Sequence, residues 1–217
     1  MKRIPEPELM LEPDQVAAYA EADFEGPHSN FINLFKEKFP GSEPRGRVLD
    51  LGSGPGDISF RFASAFPNTQ IHAIEGSMEM IKYDNNLLSK KTYIKNKIIF
   101  IHSTIQDFNS LDKYEYIISN SLLHHLSDPM ILWEAIKKYL KRETKIFIMD
   151  LLRPESIEQA MKLTNIYAKN EPDVLRRDFH RSLLAAFEVV EVKEQLNKAE
   201  LALKVEQVSD RHLIAYG

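Results

Sequence analysis

The chain contains no cysteine. It therefore forms no disulfide, no thiolate metal site and no cysteine nucleophile. Positive charge is not in excess either, since 28 Lys and Arg stand against 32 Asp and Glu for a net charge of -4. Without a basic field to draw in nucleic acid or an anionic membrane, a small molecule is the expected partner. No apolar run approaches membrane-spanning length. The N-terminus carries charges and prolines where a secretory signal needs an unbroken apolar stretch, so a cytoplasmic address is expected. Internal repeats and low-complexity tracts are also missing, and no feature sets an oligomeric state.

What is present is enough apolar material, 43% of 217 residues, for one sizeable core. From residue 48 onward, short Val- and Ile-rich runs alternate with longer amphipathic ones, the pattern of strand-helix units around a parallel sheet. The expected class is α/β. Strands are predicted at 47–51, 70–74, 98–102, 114–119 and 145–150, and helices at 57–66, 78–89 and 129–141. Asp128 can cap the last of these, with Pro129 in its first turn. The proline-rich first 45 residues hold amphipathic stretches at 14–22 and 29–39, read as helices beside the sheet. Residues 151–187 show helical spacing at Ile157, Ala160, Leu163 and Tyr167 and read as a cover for a pocket. A helix through Leu196 then precedes two β-runs, 203–208 and 211–216, joined too tightly for a crossover and so antiparallel. The run 188–193 fits both states, its valines favouring strand and its spacing favouring helix.

The most informative stretch runs from Val48 through Asp50-Leu51-Gly52-Ser53-Gly54-Pro55-Gly56 to Asp57. Glycines at alternate positions let the backbone turn sharply and approach a ligand where a side chain would intrude. A second strand ends in Glu75, 19 residues after Gly56. A carboxylate there can accept both hydroxyls of a ribose.

These residues resemble motif I of the class I S-adenosylmethionine-dependent methyltransferases, an acidic residue followed by Gly-x-Gly-x-Gly. Glu75 is similar to the acidic ribose ligand of that family, and Gly76, Ser77 and Met78 to the turn along the adenosine. Thr104, Ile105 and Gln106, in the segment 103–108, resemble the turn that flanks the adenine, although many relatives have aspartate at the Thr104 position. Asn120 and Ser121 open a segment, 120–126, that is similar to the Leu-His-His-Leu-like stretch beside the methyl donor. The resemblance covers residues 46–150 and is broadest to the menaquinone and ubiquinone methyltransferase-like group. It departs at 141–144, which lacks the glycines common before the fifth strand. It implies a three-layer Rossmann-like fold with a mostly parallel seven-stranded sheet, an antiparallel last strand and helices on both faces. In that layout residues 1–45 are a helical cap, 46–150 bind S-adenosyl-L-methionine, and 151–217 supply lid helices and the final strand pair. Asp50 would orient the loop and the donor's amino group, Gly52, Ser53, Gly54 and Gly56 would supply close approach, and Glu75 would hold the ribose. The implied activity is in-line methyl transfer to an unidentified small-molecule acceptor.

A base is needed if that acceptor is a hydroxyl, an amine or an acidic carbon. His125 and Asp150 rank first by position, followed by His28, Tyr19 and His180. Tyr19, His28, Arg153, Tyr167 and His180 are expected to line the acceptor pocket, although Tyr19, Phe24 and His28 at such spacing also fit a core, and Arg153 could pair with Asp150. Arg176, Arg177 and Arg181 could hold an anionic acceptor or form an outer helix face; the basic run 90–97 reads as a solvated loop. Adjacent in sequence, His124 and His125 should diverge. No acidic partner at ligand spacing accompanies them, so no metal is expected. Two other readings remain: a nicotinamide-dependent oxidoreductase, whose fingerprint is Gly-x-Gly-x-x-Gly, and a non-catalytic cofactor-binding domain.

Overall fold

The computed structural model describes residues 1–6, 19, 22, 25–91 and 93–217. Helix α1 (Glu25–Lys38) leads into β1 (Arg45–Leu51), followed by α2 (Asp57–Ala65), β2 (Asn68–Glu75), α3 (Met78–Lys90), β3 (Ile98–His102) and β4 (Tyr114–Asn120). A single 3-10 turn (Leu123–His125) precedes α4 (Met130–Tyr139) and β5 (Leu140–Leu151). Then come α5 (Ile157–Tyr167), α6 (Asp173–Ala185), α7 (Val189–Ala199), β6 (Lys204–Gln207) and β7 (His212–Tyr216). The strands form one sheet in the order β3-β2-β1-β4-β5-β7-β6. Every pairing from β3 to β5 is parallel, and β7 runs against both its neighbours, as expected.

Both faces of the sheet are covered, because adjacent strand residues point to opposite sides. Leu49, Ile117, Ile146 and Ile148 pack with Trp133 and Ile136 of α4 and with Val192 and Leu196 of α7. On the other face Val48, Ile71, Ile118 and Phe147 pack with Phe31 and Phe35 of α1 and Phe62 of α2. Phe35 anchors this layer edge-on, 5.0 Å from Phe62 and 5.7 Å from Phe147. A smaller cluster of Leu151, Ala160, Leu163, Leu183 and Ala186 holds α5 and α6 at the end of β5. Strand order reverses direction between β1 and β4, and a crevice opens at the carboxyl ends of such neighbours.

One stretch differs from the sequence expectation, and a second, open in the sequence, is decided. Residues 141–144 belong to β5, with Leu140 paired to Tyr114 across a register shift. With no glycine to break it, the segment stays extended as the Lys141 amide donates to Thr144 Oγ1 and that hydroxyl donates to the Tyr114 carbonyl. The ambiguous run 188–193 is helical. Glu188 and Glu191 form a reciprocal capping box at the start of α7, and Val192 and Leu196 are buried on one face, which outweighs the β preference of the valines. Phe24 and most of the stretch 14–22 lie outside the described residues. No helix among the described residues is long and apolar enough to cross a membrane.

Candidate active site

The turn after β1 closes against β2. The amides of Gly52 and Ser53 donate to the Ile74 carbonyl at 2.9 and 3.0 Å, and Gly54 N–H donates to Glu75 Oε2 at 2.9 Å. Gly52, Gly54 and Gly56 all have φ between 53° and 71°, a region that L side chains rarely adopt. Their surroundings separate their roles. A Cβ on Gly52 would lie 2.6 Å from Leu122, and one on Gly56 would lie 2.8 Å from the Phe100 ring. One on Gly54 would meet only Met80 Sδ, at 3.8 Å, so this glycine faces open space. Gly56→Ala is therefore expected to lower stability by about 2–4 kcal/mol, combining the left-handed backbone with overpacking. A thermal melt checks it.

The resulting cleft has a volume of about 400 Å³ and is bordered by Asp50, Gly52, Ser53, Gly54, Glu75 and Gly76, with Thr104, Ile105 and Gln106 opposite. Asp50 is buried and accepts a hydrogen bond from Ser59 Oγ at 2.6 Å. Burial, reinforced by the charge of Glu75, pushes its carboxyl up to about 7 against that hydrogen bond. Burial also raises the Glu75 carboxyl, opposed by the amides of Ser77 and Gly54. Ser53 Oγ is buried with no hydrogen-bond partner among the described residues. Thr104 Oγ1 donates to Asp107 Oδ2 at 2.7 Å, and both residues border the cleft.

A second cavity of about 230 Å³ adjoins the first, with α5 and α6 contributing Tyr167, Leu175, Phe179 and Ser182 to its wall. The two share Tyr19, His28, Asn120, Ser121 and His125. At this junction Ser121 holds a left-handed φ of 56°, a strained conformation for a residue with a side chain. His28 Nδ1 lies 2.7 Å from Asp57 Oδ2, which also accepts from Arg61 Nε at 2.6 Å. Burial pushes the Asp57 carboxyl up, but the hydrogen bonds from His28 and Arg61 outweigh it and hold it below the usual range. Burial pushes the Tyr19 phenol up to about 12 and the His212 imidazole down to about 4, so both are neutral near pH 7. Tyr167 donates to Asp210 Oδ2 at 2.7 Å beneath the Arg211 guanidinium.

Residues 42–202 match the family described as a methyltransferase domain. The chain belongs to that family. A malonyl-[acyl-carrier protein] O-methyltransferase from Ilyobacter polytropus is 28% identical over 100 residues, which is 46% of this chain and 37% of that protein. The chain thus matches little more than a third of that relative's length. Among solved structures, the plantazolicin methyltransferase BpumL with a triazolic analog and SAH superposes with TM-score 0.70 at 19% identity, covering 94% of this chain and 89% of its own. A SAM-dependent methyltransferase from Aquifex aeolicus gives TM-score 0.67 at 18% identity, over 95% and 98% of the two chains. These likenesses show the Rossmann-like methyltransferase fold. The nicotinamide reading does not survive the family match.

Within this methyltransferase domain, most of the sequence-predicted residues gather around the two cavities. Several do not. Gly56 turns toward Phe100 and Asp84, Ser77 caps α3 through the Met80 amide, and Met78 is exposed on that helix. Asp150 borders neither cavity: it accepts from the amides of Leu123 and Leu151 and lies 2.5 Å from His124 Nδ1. Arg153 is buried with Glu188 and Glu191, at 2.7 and 2.9 Å, so it fastens β5 to α7 instead of reaching the acceptor pocket. His180 sits 3.3 Å from Thr164 Oγ1, between α5 and α6 and outside the pocket wall. His124 and His125 do not diverge, since their rings lie 4.3 Å apart and both face Glu6. Glu6 is the acidic partner that sequence spacing could not find, because it comes from the opposite end of the chain. Asp57 and Met80 also border the cleft; Asp57 could have been singled out as the first residue of the helix behind the glycine turn.

Proposed function

We propose that this chain is an S-adenosylmethionine-dependent methyltransferase that delivers a methyl group to a small-molecule acceptor held in the second cavity. The observation that carries the proposal is the junction itself: a cleft with a glycine turn and a carboxylate opens directly onto a separate, largely apolar pocket. The cleft residues fit the donor. Gly54 leaves room for close approach, Ser53 Oγ is buried with no hydrogen-bond partner among the described residues, and the Asp50 carboxyl, raised by burial, is one that a neighbouring cation would ionise. Glu75 already accepts backbone amides, those of Gly54 and Ser77 at 2.9 and 2.7 Å among them, and a carboxylate's four lone-pair sites leave capacity for a ribose hydroxyl beyond these.

When bound, S-adenosylmethionine supplies an electrophilic methyl group on a sulfonium. The protein's residues have to hold the acceptor atom in line and exclude water, and such positioning lowers barriers by roughly 7–11 kcal/mol in favourable cases. Asn120 and Ser121 form the shared wall and fix the direction of approach. His28 takes the proton released by a hydroxyl, amine or acidic carbon, with Asp57 orienting the ring through Nδ1 and stabilising the imidazolium that forms. This assignment moves the base from His125, which faces Glu6, and Asp150, whose oxygens are engaged elsewhere, to His28. Tyr19 and Tyr167 supply aromatic walls for the acceptor.

Incubation with methyl-labelled donor and fractionated metabolites, followed by mass spectrometry, identifies the acceptor. Transfer to no component would contradict the proposal and favour a non-catalytic domain. With the acceptor in hand, His28→Gln is expected to lower kcat by about 100-fold or more, with a much smaller change in KM for the donor.

A further inference from the structure

We propose that Glu6, His124 and His125 form a binding site for one divalent transition-metal ion of the Zn²⁺ class, beneath the acceptor pocket. The three side chains each offer one ligand atom, and these atoms lie within 4.8 Å of one another. Glu6 Oε1 is 3.5 Å from His124 Nε2 and 3.3 Å from His125 Nδ1. Neighbouring ligands around a tetrahedral Zn²⁺, with bonds of about 2.0–2.1 Å, are separated by about 3.3 Å. Two of the three separations therefore already match a ligand set, and the third lies within 4.8 Å.

The surroundings match those of a ligand set. His124 presents Nε2 to Glu6 while Nδ1 lies on Asp150 Oδ1 at 2.5 Å, and Asp150 is itself fixed by the amides of Leu123 and Leu151. A carboxylate behind the imidazole is the usual means of orienting a metal-binding histidine. Glu6 Oε1 accepts from Ser182 Oγ at 2.9 Å, which orients the carboxylate in the same way. Arg3, the nearby cation, donates to the carbonyls of His124 and Leu126, so those bonds do not occupy the carboxylates. Two imidazoles with one carboxylate select Zn²⁺-like ions over Mg²⁺ and Ca²⁺. Three protein ligands leave one position open, and His124, His125 and Ser182 all border the acceptor pocket. An acceptor oxygen or nitrogen could take that position, a role that rests on the methyl-transfer reading; the ion site itself does not.

The test uses the full chain, stripped by a chelator and dialysed, with no methyl donor present, so that its outcome is separate from that of the cofactor cleft. Zn²⁺ is titrated by calorimetry and Co²⁺ by visible absorption. One equivalent should bind, with the visible bands of four-coordinate Co²⁺. Zn²⁺ affinity should fall at least tenfold in Glu6→Gln and in His125→Ala, both checked for folding by circular dichroism, and stay unchanged in His102→Ala. The proposal is overturned if the wild type binds no Zn²⁺, if both substitutions leave the affinity intact, or if Mg²⁺ binds as tightly.

Discussion

Replacing Glu75 with alanine is expected to weaken binding of S-adenosylhomocysteine by about 100-fold, measured by calorimetry on the folded variant. Two hydrogen bonds to a charged acceptor contribute roughly 1.5–3 kcal/mol each, and the lower end of that range already gives a factor of this size. The carboxylate has a second task that adds to the loss. Its oxygens receive the amides of Gly54 and Ser77 and so tie the glycine turn to the start of α3. Glu75→Gln reduces both contributions without abolishing either, because its amide oxygen still accepts while its NH₂ group cannot accept at all. An intermediate affinity is expected for it. Unchanged affinity in the alanine variant would mean that the nucleoside lies elsewhere.

The second large effect concerns stability. Asp84 on α3 is fully buried, and neither carboxylate oxygen has a hydrogen-bond partner among the described residues. Burial, with the charges of Glu75 and Asp50 adding, pushes its carboxyl up from 3.8 to about 9. Between those two values the unfolded chain has lost the proton that the folded chain keeps, so stability falls as pH rises. Each unit costs about 1.4 kcal/mol, and the loss stops once the folded-state group ionises near pH 9. Asp84→Asn removes this dependence without changing the shape of the side chain. From pH 5 to pH 8 the variant should therefore gain on the order of 4 kcal/mol relative to the wild type, read from denaturant melts at each pH. A constant difference across that range would show that Asp84 is ionised or solvated in the fold.

The parts of this architecture that follow local rules could be read in advance. The buried strands announce themselves as Val- and Ile-rich runs, and the bounds 98–102 agree at both ends with β3. The turn at Gly52 and Gly54 and the carboxylate of Glu75 beside it were legible because a left-handed turn favours glycine and a strand end places a side chain next to it. The misplacements share a different cause. Asp150 and Arg153 stand at the end of β5, where position alone suggests a site, yet each is claimed by partners distant in sequence: His124 for one, Glu188 and Glu191 for the other. Glu6 was invisible for the same reason, since no periodicity links position 6 to positions 124 and 125. His28 was one aromatic among several in a helix, and only the 2.7 Å contact with Asp57 sets it apart.

Everything assigned to the cleft depends on an adenosyl ligand lying between the ends of β1 and β2, with the reacting group directed toward His28 and Asn120. A crystal structure of the chain with S-adenosylhomocysteine tests this most directly. The account predicts the ribose hydroxyls on Glu75, the chain backbone at Gly52 and Gly54, and the sulfur at the junction of the two cavities. Density for the ligand at any other place, or a ribose beyond hydrogen-bond reach of Glu75, would contradict it.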